Sequence, residues 1–281
     1  MMDMSSKIRR ISATVAVAVA FSAFLAACGS SPTNPSAAAP APIQAPSAIA
    51  KTGTLLIGSG LEYPPMEFFN NQHQPAGVDV KLGEAIAKSM GLKTQFVQIA
   101  FAGLIPALNA NRIDMIMADM NITPQRSQVV DFVPYLSDGS SIVVAAGNPK
   151  HITNLADLSG KTVAVQLGTT LQAAADAENQ KLQAAGKAPI SVLTFQQATD
   201  AMNELVIGRV QAVLLTTSIS KYYAKQHPSE FYVVPKPFAS EPVGIAINKH
   251  DPALVKAVTK AVQLLKKNGT FQKILNQYFG K

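Results

Sequence analysis

The chain has 281 residues, of which 48% are hydrophobic and 15% charged, with a net charge of +7, four histidines and a single cysteine. That length and apolar content allow one large core or two smaller ones and exclude a disordered chain. A lone cysteine excludes an intramolecular disulfide, and lysines and arginines without a basic run or interleaved aromatics argue against nucleic acid as a partner.

Lys7, Arg9 and Arg10 form a basic start, residues 11–27 carry no charge, and Leu25-Ala26-Ala27-Cys28 closes the segment. A basic start, an apolar stretch and small residues before a cut site describe a secretory signal. The 17 uncharged residues are interrupted by Ser12, Thr14 and Ser22, and a spanning helix needs about 20 strongly apolar ones. The segment resembles the lipobox of bacterial lipoproteins. That resemblance implies a signal peptide over residues 1–27, acylation of Cys28, and a lipid-anchored chain in the periplasm or on the outer face of the cell membrane. Loss of residues 1–27, with Asp3, Lys7, Arg9 and Arg10, lowers the net charge to +5. Pro32, Pro35, Pro40, Pro42 and Pro46 stand among Ala and Ser in residues 28–50, the composition of a flexible tether. The body is expected from about Lys51.

Along the body, short β-branched runs alternate with helical periodicity. Residues 54–58 are predicted as a strand. Residues 79–90 are predicted as a helix with Leu82, Ala85, Ile86 and Met90 inward and Gly91 as its stop. A strand over 93–98 and a short helix over 103–111 follow, with Pro106 tolerated in its first turn. Strands are predicted at 114–118 and 141–146, and a helix start near Pro124. The same rhythm returns as strand 162–166, helix 169–185, strand 190–195, helix 197–207, strand 210–215, helix 218–226 and strand 231–234. Strand 244–248 and helices 252–267 and 270–279 end the chain. This alternation predicts βαβ units and mainly parallel sheets. Two such series predict two α/β lobes, with a ligand crevice at the carboxyl ends of the strands.

Catalytic and metal signatures are weak. His73, His151, His227 and His250 are far apart, with no i,i+4 pair, so no metal is expected. Gly160-Lys161-Thr162 lacks the earlier glycine of a P-loop, because Leu155 stands there. No Gly-x-Ser-x-Gly elbow occurs. No cofactor is expected, and nothing demands an enzyme. Binding features are stronger. Arg126 follows Asn121-Ile122-Thr123-Pro124-Gln125, where a polar turn and a helix start bring N–H groups, hydroxyls and a guanidinium to one point. That set grips a carboxylate, unless Arg126 is an ordinary surface arginine. Gly168-Thr169-Thr170 at a strand-to-helix turn is either an anion site or a simple cap. Tyr63 and Phe101 are either apolar walls for a ligand or core residues.

Ordered blocks carry a family resemblance over about residues 55–280. They begin with Gly60-Leu61-Glu62-Tyr63-Pro64-Pro65-Met66-Glu67-Phe68, Gly77-Val78-Asp79-Val80 and Gly103-Leu104-Ile105-Pro106-Ala107-Leu108. Asn121-Ile122-Thr123-Pro124-Gln125-Arg126 and Val130-Asp131-Phe132 follow. Leu158-Ser159-Gly160-Lys161-Thr162-Val163-Ala164-Val165, Gly168-Thr169-Thr170, Gly244-Ile245-Ala246-Ile247 and Gly269-Thr270 complete the set. The chain resembles the extracellular solute-binding proteins of family 3, the polar-amino-acid class that feeds ABC importers.

The resemblance implies an α/β, two-lobed periplasmic-binding-protein type II fold, each lobe a mainly parallel sheet flanked by helices, with a two-strand hinge. Lobe 1 would be residues 51–144 and 240–281, and lobe 2 residues 145–239. Tyr63 and Phe101 would wall the ligand, Arg126 would clamp its α-carboxylate with help from Asn121, and Thr170 would donate from a helix N-terminus. Gln166 would read the side chain. Two departures stand out. The family's Asp for the α-ammonium is replaced by Thr216, and Asp119 stands where a small residue is usual. Either Asp119 takes over the ammonium, or the ligand is not a standard α-amino acid and Asp119 reads a cationic or hydroxyl group. Glu62 is either a second crevice carboxylate or solvent-facing. A buried carboxylate needs a partner, so Asp119 favours a cationic or zwitterionic ligand, unless Arg126 neutralises it when the site is empty. The expected function is solute capture by clamp closure for an ABC importer. The protein would be a monomer that docks on permease subunits. The rivals are a cyclohexadienyl dehydratase-like enzyme on the same fold, with Glu62 or Asp119 as general acid, and a solute-sensing receptor or adhesin.

Overall fold

A computed structural model of the chain describes residues 41–280. The expected signal peptide, Cys28 and the first part of the tether lie outside the described residues. The end of the expected tether is packed against the body. Ile43 and Ile49 are only 8% and 6% exposed, Ile43 N donates to Ser89 O at 3.1 Å, and Ser47–Thr52 forms helix α1. Burying one isoleucine contributes about 1.5–3 kcal/mol, enough to order a stretch whose Pro and Ala content reads as a linker. The packed body therefore starts by Ile43 rather than at Lys51.

Strand β1 (Thr54–Ser59) is followed by three short antiparallel strands, β2 (Glu62–Tyr63), β3 (Glu67–Phe69) and β4 (Pro75–Ala76). These were not predicted, because two or three residues are too few for an alternation to register. Helix α2 (Val78–Ser89) buries Val78, Leu82 and Ile86. Strand β5 (Lys93–Gln98), a 3₁₀ turn, helix α3 (Leu104–Asn109) and strand β6 (Met115–Ile116) follow. Pairing in β6 covers only the middle of the predicted 114–118. Helix α4 (Pro124–Val129) starts on Pro124, with Thr123 Oγ1 accepting from Arg126 N at 3.2 Å. It leads into the 16-residue strand β7 (Val130–Ala145).

The second series is strand β8 (Thr162–Gln166), helix α5 (Thr170–Ala184), strand β9 (Ser191–Phe195), helix α6 (Ala198–Val206), strand β10 (Ala212–Thr216), helix α7 (Thr217–Gln226) and strand β11 (Phe231–Val233). Strand β12 (Ala239–Asn248) and helices α8 (Pro252–Lys267) and α9 (Thr270–Phe279) close the chain. Helix α8 buries Leu254, Ala257, Val258, Ala261, Val262 and Leu265, a full 3.6-residue stripe. Among the described residues no helix is long and apolar enough to cross a membrane.

The main sheet runs β5-β1-β6-β12-β7-β10-β8-β9, with β11 also on β7. Strand β1 is parallel to β5 and β6, and β8 is parallel to β9 and β10. Between these two parallel trios, β12 and β7 pair antiparallel from Ala239↔Ser140 to Asn248↔Val130. The strands predicted at 141–146 and 244–248 are thus only parts of two long crossing strands. Pro134, Gly139 and Pro242 are breaker residues in the sequence. In the fold, Pro134 sits opposite Gly244 at a register shift, where Gly244 N donates to Met120 O instead. A proline is tolerated at such a bulge.

One glycine is dictated by space. Gly77 has φ +119°, and a Cβ there would lie 2.2 Å from Met66 O. Gly77→Ala should lower the stability by more than about 1 kcal/mol, seen as a reduced urea midpoint at an unchanged slope.

Candidate functional site

The carboxyl ends of the two parallel trios point at one cleft, where the alternation predicted it. After β1 come Gly60, Glu62 and Tyr63, on β3 lies Glu67, after β5 lies Phe101, and after β6 come Ala118, Asp119 and Asn121. From the other trio come Gln166 at the end of β8, Thr169 and Leu171 at the start of α5, and Thr216 at the end of β10. Together they line a cavity of about 20 Å³. Of the residues expected in a site, Glu62, Tyr63, Phe101, Asp119, Asn121, Gln166 and Thr216 line this cleft.

Arg126 and Thr170 do not line the cavity, but both bond to Asn121, which does. Arg126 Nη1 donates to Asn121 O at 2.7 Å, and Nη2 donates to Gly168 O at 3.1 Å. Its guanidinium carbon lies 5.2 Å from the Phe101 ring centroid. Burial pushes the guanidinium down to about 10, still charged at neutral pH. Thr170 Oγ1 donates to Asn121 Oδ1 at 3.0 Å. The cap of α5 is Thr169, whose Oγ1 accepts from Gln172 N at 3.3 Å, so capping does not occupy the Thr170 hydroxyl. Arg126 is no isolated surface arginine. Nor does it neutralise Asp119, since it forms no ion pair among the described residues.

Further hydrogen bonds cross the cleft. Thr216 Oγ1 donates to Asp119 Oδ2 at 3.0 Å, and Thr216 N to Tyr63 Oη at 3.4 Å. Gln166 Nε2 donates to Glu62 Oε1 at 2.8 Å. Glu62 therefore faces the cleft, not solvent, and burial, aided by Asp200, pushes its carboxyl up to about 7.

Asp119 is 4% exposed, with a left-handed backbone at φ +45°. Its N donates to Asp79 Oδ2 at 2.8 Å, and Tyr135 Oη donates to Asp79 Oδ1 at 2.6 Å. Burial pushes Asp79 up to about 6. Burial, with Asp79, Asp119 and Glu62 nearby, holds the Glu67 carboxyl well above the usual carboxylate range. Burial, with Asp138 and Asp79 nearby, also raises Asp119 far above that range. Glu67, Leu171, Gly60 and Ala118 were not singled out as site residues from the sequence, and Thr169 only as part of the Gly168-Thr169-Thr170 turn. Glu67 had one visible signal, a lone charge between Met66 and Phe68 in an apolar run.

The Glu62 shift has a stability consequence. Between its ordinary value of 4.5 and about 7, the folded chain keeps a proton that the unfolded chain has lost. Stability attributable to this group therefore falls as pH rises through that window. Glu62→Gln should flatten the fall, and chemical denaturation at pH 5, 6 and 7 checks it.

A family model for bacterial extracellular solute-binding proteins, family 3, matches residues 55–281. The L-arginine-binding protein of Pseudomonas aeruginosa is 33% identical over 79% of this chain and 86% of its own length. The L-cystine-binding protein TcyJ of Escherichia coli K12 is 28% identical over 83% of this chain and 85% of its own. An ancestral amino acid-binding protein, described as a precursor of cyclohexadienyl dehydratase, superposes with a TM-score of 0.75 at 36% identity. That match covers 83% of this chain and 98% of the other. With two parallel half-sheets, a crossing strand pair and a cleft between them, the chain belongs to the bacterial extracellular solute-binding proteins of family 3.

Proposed function

We propose that the protein captures an amino acid or a related cationic or zwitterionic solute for an ABC importer. The observation that carries this reading is the polarity of one cleft. A guanidinium and the first residue of helix α5 both bond to Asn121 on its wall, and carboxylates without a cation line its interior. A zwitterion with its carboxylate toward Asn121 and its cationic groups inward fits that arrangement. Arg126 and the α5 N-terminus with Thr170 hold the carboxylate, and Asn121 orients both. Asp119 and Glu62 receive positive charge, Gln166 and Thr216 accompany them from the opposite wall, and Tyr63 and Phe101 pack on the apolar part. The arginine-binding and cystine-binding relatives support an amino acid as ligand.

Capture proceeds by clamp closure. Lobe 1 comprises residues 51–144 and 240–281, lobe 2 comprises residues 145–239, and β7 and β12 flex between them. Each hydrogen bond across the cleft contributes about 0.5–1.5 kcal/mol, so open and closed forms stay within reach of a ligand's differential affinity. Cys28 carries a lipid anchor, and the closed monomer docks on permease subunits. The relatives are named as binding proteins, so this reading assigns no turnover. A sensing or adhesin role would use the same cleft without a permease.

A thermal-shift screen of amino acids, polyamines and opines identifies the ligand by a dose-dependent rise in melting temperature. With that ligand, Arg126→Ala should weaken binding at least tenfold, about 1.4 kcal/mol, by calorimetry. An unchanged affinity removes Arg126 from the site.

A further inference from the structure

The cleft contains more carboxylate than its own surroundings balance. Asp119 is 4% exposed and lines the cavity, yet its Oδ1 has no hydrogen-bond partner. Its other oxygen is satisfied by Thr216 of β10 alone. The groups around it are acidic or neutral. They are Asp79 from α2, Glu67 from β3, Glu62 and Tyr63 from β2, and Tyr135 and Asp138 from β7. No lysine, arginine or histidine lines the cavity, and both bonded nitrogens of Arg126 point at carbonyls. Among the described residues no group of three or more His, Cys, Asp or Glu is arranged to hold a metal ion.

An ionised carboxylate buried without a partner costs several kcal/mol, and such a group neutralises itself by taking up a proton. Burial beside Asp79 pushes the Glu67 carboxyl the same way. Asp119 lines the cleft, and its Oδ1 is buried there without a hydrogen-bond partner. An ammonium or guanidinium N–H, a donor that carries its own charge, suits that oxygen.

Resting on the cleft's role as a solute site, we propose that binding is an ion exchange: a cationic group of the solute seats on Asp119 and displaces the proton this carboxyl holds in the ligand-free protein. The O–H bond of Asp119 breaks, its proton passes to the buffer, and an N–H···O contact to the carboxylate replaces it. No electrons move, and the charge inside the cleft is the same before and after binding. Acidification therefore weakens capture of a cationic solute even where the solute's own charge is constant.

The test is calorimetry of L-arginine binding at pH 7 in phosphate and in Tris, whose ionisation enthalpies differ. The expected result is release of about one proton per arginine, with affinity about tenfold weaker at pH 6 than at pH 7. Carboxyl NMR locates the exchange. The signal missing from Asp119→Asn should be protonated in the free protein at pH 7 and ionised once arginine is added. The calorimetry needs no variant, so it stands even where Asp119→Asn does not fold. Binding of arginine without proton release overturns the exchange and leaves the solute site intact. Failure of L-arginine, L-lysine and L-ornithine all to bind overturns the cationic solute class, and the exchange with it.

Discussion

Ten residues of β12 lie antiparallel against β7 between two half-sheets that are each parallel. This ribbon is the constraint from which the rest follows. A parallel trio has all its carboxyl ends on one edge, and the loops that leave those edges carry polar side chains. When the antiparallel pair sets two such edges toward each other, the loops after β1, β5 and β6 meet those after β8 and β10. Residues far apart in sequence then touch, as Glu62 with Gln166 and Asp119 with Thr216. The register shift opposite Pro134 gives this ribbon a local irregularity near its middle, where an uninterrupted ladder would be stiffest.

The electrostatics of the cleft come from burial more than from pairing. Asp79, Glu67 and Asp119 are each under 5% exposed, and desolvation is the largest cause of the shift in every one of them. Asp79 is the structural member of the set. It takes a phenol from β7 and an amide from the β6 loop, so it ties both segments to α2. Asp119 shares the same low-dielectric surroundings with fewer donors, and this asymmetry makes it the chemically available group.

Much of this was readable from the residues, and the limits have physical causes. The bounds of α8 and of the strand 162–166 were legible to the residue, because periodicity and β-branched content agree with the environment there. The first eleven residues of β7 were not, because Pro134 and Gly139 are turn signals that the neighbouring strand overrides. The packing of Ile43 and Ile49 was hidden by proline-rich neighbours. Arg126, Thr170 and part of the cleft-lining set were named from the sequence, on signals that are each ambiguous alone. Which partners they take was not legible, because Gly168 O and Asn121 O are backbone acceptors that composition does not mark. Glu67 was missed because its neighbour, Asp79, lies on a separate element.

Asp119 combines a left-handed backbone at φ +45° with near-complete burial of its side chain. Glycine would occupy that turn with less strain and without a carboxyl to desolvate. Selection for thermal robustness alone would thus erode this position, and random drift would tend the same way. The residue persists only while some benefit outside folding opposes that slope, so laboratory evolution toward heat resistance, with no demand for ligand, is the setting in which the cleft would first lose its acid.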